Sequence, residues 1–185
     1  MKASCRWRYP DITCRNFMPS SIGLIYGLNI LHSRYLLWDT FIILTSMVTF
    51  DKSQIAPCGM NCGTCIAYLR DKNKCTGCRI SETEKPKTRV RCIVKNCIYL
   101  KETDSEFCGN CNVFPCKRIT QLDKRYQIKY RTSFIFNLQM INEKGIESFL
   151  EFESKRRTCP ACGKVVSVHR KKCLSCNNDL TNYAL

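Results

Sequence analysis

The chain has 185 residues, 44% of them hydrophobic, with 16 cysteines and a formal net charge of +15 from 30 Lys and Arg against 15 Asp and Glu. That length suits one domain, or one domain plus a small module, and the cysteine content approaches that of a cysteine-built scaffold. With only two histidines, His32 and His169, and no Gly-rich phosphate loop, the chain argues against histidine acid–base catalysis and against a phosphate-loop nucleotide binder.

Residues 1–52 are an N-terminal extension unlike the remainder, with Cys5, Cys14 and a loosely apolar run from Ile22 to Phe50. Asn29, His32, Ser33, Arg34 and Asp39 interrupt that run. A membrane helix needs about 20 largely apolar residues, and buried charges are costly there, so no membrane association is expected. No small-residue cleavage pattern of a secretory signal follows either. Met47 stands just ahead of the cysteine-rich part as a sensible start, so residues 1–46 are expected as a peripheral extension or as untranslated.

Residues 53–157 form a cysteine-rich module with helices. Ten cysteines lie between Cys58 and Cys116 with no histidine among them. Glycines beside them (Gly59, Gly63, Gly77, Gly109) mark tight turns, and the spacers are too short for a conventional core. From Lys117 the pattern becomes helical. Ile119, Leu122, Tyr126 and Tyr130 share one face of a first helix, with Pro115 suiting its start. Phe134, Leu138 and Ile141 mark the buried side of a second over 133–142, and Gly145 is a natural stop. Ile146, Phe149, Leu150 and Glu153 share a face of a third over about 146–157. Its early Glu147 and Glu151 and late Lys155, Arg156 and Arg157 follow the order that the helix dipole favours.

Residues 158–185 form the tail. Cys159, Cys162, Cys173 and Cys176 make two C-x₂-C knuckles around Val165, Val166, Val168 and a basic turn at 170–172, the pattern of a zinc-ribbon β-hairpin. So short a segment could hardly fold without metal.

Thiolates are metal ligands, and closely spaced C-x₂-C pairs aim them at one centre. In the module the pairs are Cys62/Cys65, Cys75/Cys78 and Cys108/Cys111, with Cys58, Cys92, Cys97 and Cys116 outside them. The simplest grouping is Cys62, Cys65, Cys75 and Cys78, then Cys108, Cys111 and Cys116 with Cys92 or Cys97. Disulfides are the competing reading, but a C-x₂-C bridge closes a tiny loop and restrains little of the unfolded chain. About three Zn²⁺ per chain are expected, with an iron–sulfur cluster in residues 58–116 as the alternative. Three four-thiolate zinc sites would take the formal +15 to about +9. Cys58-x₃-Cys62-x₂-Cys65 has radical-SAM spacing, but Thr64 stands where an aromatic is usual and no barrel pattern follows. A metal closed by four thiolates has no open position, so no catalytic residue is assigned. Cys116, at a helix N-terminus, is the one candidate nucleophile, and ligation explains it better.

Nucleic-acid binding would rest on Lys87, Arg89, Arg91, Lys117, Arg118, Lys124, Arg125, Arg170, Lys171 and Lys172. A solvated face that offsets the thiolates explains the same charges.

Pro57-Cys58-Gly59-Met60-Asn61-Cys62-Gly63-Thr64-Cys65, Ala67-Tyr68-Leu69, Cys75-Thr76-Gly77-Cys78-Arg79, Phe107-Cys108-Gly109-Asn110-Cys111, Phe114-Pro115-Cys116 and Asn137-Leu138 ahead of Gly145 form one further pattern. In these motifs the chain resembles an uncharacterised family of cysteine-rich prokaryotic proteins classed as a domain of unknown function. The resemblance covers about residues 55–180 and omits 1–52. It implies a cytoplasmic, zinc-binding protein of unknown activity and supplies no catalytic residues.

The expected fold is therefore a small α+β, metal-stapled protein: an irregular cysteine-rich zinc module, a three-helix middle segment and a C-terminal zinc ribbon. The expected role is interaction with nucleic acid or a protein complex. An iron–sulfur redox or electron-transfer protein is the alternative.

Overall fold

The two long helices form where apolar residues recur every three to four positions. The computed structural model describes residues 47–80, 85, 87–102 and 106–181, all within one unit, Ile43–Leu185. Expectations for Cys5, Cys14, His32 and the rest of 1–46 lie outside the described residues, as does the side chain of Arg89. Among the described residues no helix is long and apolar enough to cross a membrane.

Between Pro57 and Cys116 the described residues form only short turns: α1 (Ile66–Leu69), α2 (Lys87–Val90), α3 (Ile98–Glu102) and single 3₁₀ turns at Cys62–Thr64 and Cys108–Asn110. Then come α4 (Lys117–Tyr130) and α5 (Phe134–Arg157). Gly145 interrupts α5 with φ 84° and ψ 166°, so the expected stop between two helices is present. The predicted inward faces are buried: Ile119 on α4, Phe134, Leu138 and Ile141 on the first arm of α5, and Phe149 and Glu153 on the second.

Asp123 joins the two helices. Its buried carboxylate accepts from the backbone N–H of Phe134 (2.5 Å) and Ile135 (3.1 Å) and from Ser133 Oγ (3.0 Å), while Ser133 Oγ caps Phe136 N–H. One carboxylate thus occupies donors that the start of α5 would leave unpaired, where negative charge suits the helix dipole.

The first cysteine loop lies against α5. Gly59 has φ +80°, and a Cβ there would stand 3.0 Å from Leu138 Cγ and 3.1 Å from the Phe134 carbonyl, so only glycine fits. Asn137 Nδ2 donates to the Gly59 carbonyl at 2.8 Å, and Asn61 Nδ2 donates to Glu153 Oε2 at 3.0 Å. Glu153 also pairs with Arg156, which reaches Asn137 Oδ1 at 3.2 Å. This buried network ties both arms of α5 to the loop between Cys58 and Cys62.

The tail departs from expectation. Among the described residues no strand forms, and the β-hairpin reduces to two isolated antiparallel bridges, Thr158↔Val165 and Lys172↔Asp179. Each bridge closes its own knuckle and does not pair one knuckle with the other. The segment between them docks outward: Val168 N–H donates to the Thr64 carbonyl (3.0 Å), and Val168 packs with Met60, Cys62 and Phe134.

His169 is half-buried. Ile66 N–H donates to its Nδ1 at 3.4 Å, its Nε2 lies 3.2 Å from Tyr126 Oη, and its ring meets Tyr126 and Tyr130 edge-on. Arg157, one of the three cations that end the third helix, is buried. Its Nη2 donates to Thr132 Oγ1 at 3.0 Å, its Nε and Nη1 have no hydrogen-bond partner among the described residues, and burial pulls its pKa down to about 10.

Candidate metal centre

The two tail knuckles repeat one set of backbone hydrogen bonds at an offset of 14 residues. Gly163 N–H donates to the Cys159 carbonyl, Cys159 N–H to Lys164 and Val166 N–H to Arg157, at 2.9, 2.8 and 2.8 Å. In the second knuckle Asn177 N–H donates to Cys173, Cys173 N–H to Asn178 and Leu180 N–H to Lys171, at 3.0, 2.9 and 2.7 Å. The residue after each second cysteine is left-handed, Gly163 at φ 68° and Asn177 at φ 59°, and these are the residue types that adopt that conformation at least cost. Cys159, Cys173, Val166 and Leu180 are buried together as a small core of their own.

This duplication brings four sulfurs to one point. The Sγ atoms of Cys159, Cys162, Cys173 and Cys176 all lie within 4.8 Å of one another. Cys159–Cys176 and Cys162–Cys173 are each 3.7 Å apart. Four sulfurs about 2.3 Å from one Zn²⁺ stand about 3.8 Å apart, so this set could hold a metal ion with little adjustment.

Charge in the set is unevenly shared. Burial pushes the Cys173 thiol up, but the N–H groups of Cys176 and Ser175 and the thiols of Cys159 and Cys176 outweigh it and bring its pKa down to about 7. The Lys164 N–H pulls Cys162 down, yet desolvation and the thiols of Cys176, Cys159 and Cys173 drive it up to about 12. Cys173 therefore forms a thiolate readily, whereas Cys162 needs a cation beside it to ionise.

The ten module cysteines are arranged differently. All fourteen described cysteines are free thiols, and among the described residues no other set of three or more His, Cys, Asp or Glu brings ligand atoms within 4.8 Å. They sort between two cores. Cys62, Cys65 and Cys78 pack around Ala56, Met60 and Phe134, while Cys92, Cys97, Cys108 and Cys116 pack around Val94, Leu100, Phe107 and Ile119. Cys58 touches both. Cys75 N–H donates to the Ala67 carbonyl at 2.7 Å, and Gly77 lies against Cys62 Cβ, so the second C-x₂-C pair folds back on the first.

Cys97, Cys108, Cys111 and Cys116 line one cavity of about 180 Å³ with Leu100, Phe114, Lys117 and Arg118; Cys92 is outside it. Arg118 Nη1 lies 3.7 Å from Cys97 Sγ. The buried thiols are held protonated in the absence of positive charge. A hydrogen bond with Cys78 and then burial raise Cys62, burial and the thiols of Cys78, Cys108 and Cys92 raise Cys58, and burial and Cys116 lead in pushing Cys108 up to about 12.

Of the predicted basic residues, Lys87, Arg91, Lys117, Arg118, Lys124, Arg125, Arg170, Lys171 and Lys172 are exposed. Lys85 in the same basic run is buried instead, its Nζ donating to the carbonyls of Cys78 (3.2 Å) and Ile80. Sequence reasoning missed the roles of Asn61 and Asp123. The only local signal was an amide between two cysteines and a lone acid in a basic helix.

Fold and site together define a small cysteine-rich helical protein whose tail carries a four-cysteine set able to hold a metal ion. Residues 54–121 match the family model described as "Protein of unknown function (DUF3795)", so this segment is similar to an uncharacterised family. The match takes in all ten module cysteines and ends within α4, short of α5 and the tail that the resemblance had spanned. No curated protein and no solved structure matches the chain.

Proposed function

We propose that this protein is a metal-stapled interaction module that binds nucleic acid through the exposed side of α4, with a structural Zn²⁺ in the tail. Its action is binding, not catalysis. The observation that carries the reading is the single sign of charge on that helix. Lys117, Arg118, Lys124, Arg125 and Lys129 are all exposed, and the one acid of α4, Asp123, is buried capping α5. The fold has thus removed the only charge that would weaken attraction to a phosphate backbone. The Arg170–Lys172 turn adds exposed cations beside α4, because the preceding His169 packs on Tyr126 and Tyr130 of that helix.

Zinc suits the tail because four thiolates at these separations match tetrahedral coordination and leave no open position. The module thiols are ligands as well, in the groups Cys62, Cys65, Cys75, Cys78 and Cys97, Cys108, Cys111, Cys116, with Cys58 and Cys92 beside them. Residues 158–185 act as a metal unit clamped to the 53–157 module, and a cytoplasmic setting keeps these thiols reduced.

The test is affinity for labelled single- and double-stranded oligonucleotides between 50 and 200 mM salt. Affinity should fall steeply, with about one unit of log–log slope per phosphate contact. Lys124→Glu with Arg125→Glu should weaken binding at least tenfold while leaving the metal content unchanged. A flat salt response would remove nucleic acid as the partner.

A further inference from the structure

The geometry points to a polynuclear thiolate-bound centre of the iron–sulfur class, and not a single ion, held by Cys97, Cys108, Cys111 and Cys116. Three observations carry this. First, the four cysteines line one cavity of about 180 Å³. A single ion draws four sulfurs to about 3.8 Å from one another and leaves no space between them. The tail has that arrangement, whereas among the described residues no three module sulfurs lie within 4.8 Å of one another. A metal–sulfide core takes cysteine thiolates as ligands and holds them apart around its own body.

Second, α4 begins with the wrong charges for a free helix end. Lys117 and Arg118 open it with no acid in the first turn, where the dipole favours anions. Both line the cavity, and Arg118 reaches Cys97 Sγ at 3.7 Å. A four-thiolate centre at this place carries a net charge of about −2 whether it holds zinc or a metal–sulfide core, which relieves the conflict at its source and fixes the position of the centre. Third, the cavity includes Cys97 and omits Cys92, so the structure distinguishes two cysteines that spacing left equivalent.

The proposal is independent of nucleic-acid binding. Full-length protein purified without oxygen and incubated with ferrous iron and sulfide should bind several iron and sulfide per chain. It should also gain a broad band near ~400 nm that dithionite bleaches. Cys97→Ser and Cys111→Ser should each lose most of that absorbance, while Cys92→Ser and the tail variant Cys162→Ser keep it. Arg118→Ala, which removes no ligand, should keep the band and shift its reduction potential. A colourless protein that takes up only zinc would overturn the proposal. So would a band lost in Cys92→Ser but kept in Cys97→Ser, or a potential unmoved in Arg118→Ala.

Discussion

The tail and the module both offer thiols, but they position them by opposite means. In the tail each knuckle is closed by its own backbone, through three hydrogen bonds that recur 14 residues later, and the sulfurs converge to 3.7 Å. In the module the cysteine loops depend on partners distant in the chain. Gly59 leans on Leu138 and the Phe134 carbonyl, Asn61 is held by Glu153, and the Cys108–Asn110 turn is anchored by Cys108 N–H donating to the Pro57 carbonyl at 2.8 Å. Local geometry suffices for a site that closes on one ion. A site spread over a cavity needs a scaffold that holds its walls apart.

The comparison breaks most visibly if metal is withdrawn from the tail. A structural zinc site contributes about 10 kcal/mol or more in small metal folds, and the tail core of Cys159, Val166, Cys173 and Leu180 is small, so an ion bound there is expected to supply most of the tail's stability. Chelation of the tail ion should abolish amide-exchange protection over residues 157–181 while α4 and the first arm of α5 keep theirs. Loss of protection throughout would mean that the tail is no separate metal unit.

The next effect belongs to the module's scaffold. Glu153→Ala removes the acceptor of buried Asn61 Nδ2 and the charge partner of Arg156, which keeps only Asn137 Oδ1. It should cost about 3 kcal/mol in urea unfolding and loosen the Cys58–Cys62 loop, with the tail ion retained. Asp123→Ala strips the start of α5 of its acceptor and should cost about 2 kcal/mol by the same measurement. Smallest is Gly163→Asn. The matching position in the second knuckle is Asn177, also left-handed, so this change should cost under ~1 kcal/mol. Gly163→Val should cost clearly more, and equal losses would argue against the two knuckles being equivalent.

Much of this was legible in the sequence wherever partners are close along the chain. Helical period placed Ile119, Leu138 and Phe149 inward and even singled out Glu153 as sharing the apolar face, and Gly145 marked its break correctly. The paired C-x₂-C motifs identified the tail set. What escaped was long-range. Nothing local pairs Glu153 with Asn61, 92 residues away, or His169 with Ile66, 103 residues away. The hairpin was over-read because three valines near a turn favour strand pairing, whereas Val168 is drawn off to pair with Thr64. Arg157 looked like a helix-end cation because its burial depends on a contact with Thr132 across the fold.

The most direct test of the difference between the two regions is zinc and iron per chain, with a visible spectrum, in wild type and Cys173→Ser purified without oxygen. The variant should lose one zinc per chain and keep the module's metal and its ~400 nm band. If zinc is the only metal and all of it leaves together with Cys173, the tail and the module are one cooperative zinc fold, and the distinction drawn between them is wrong.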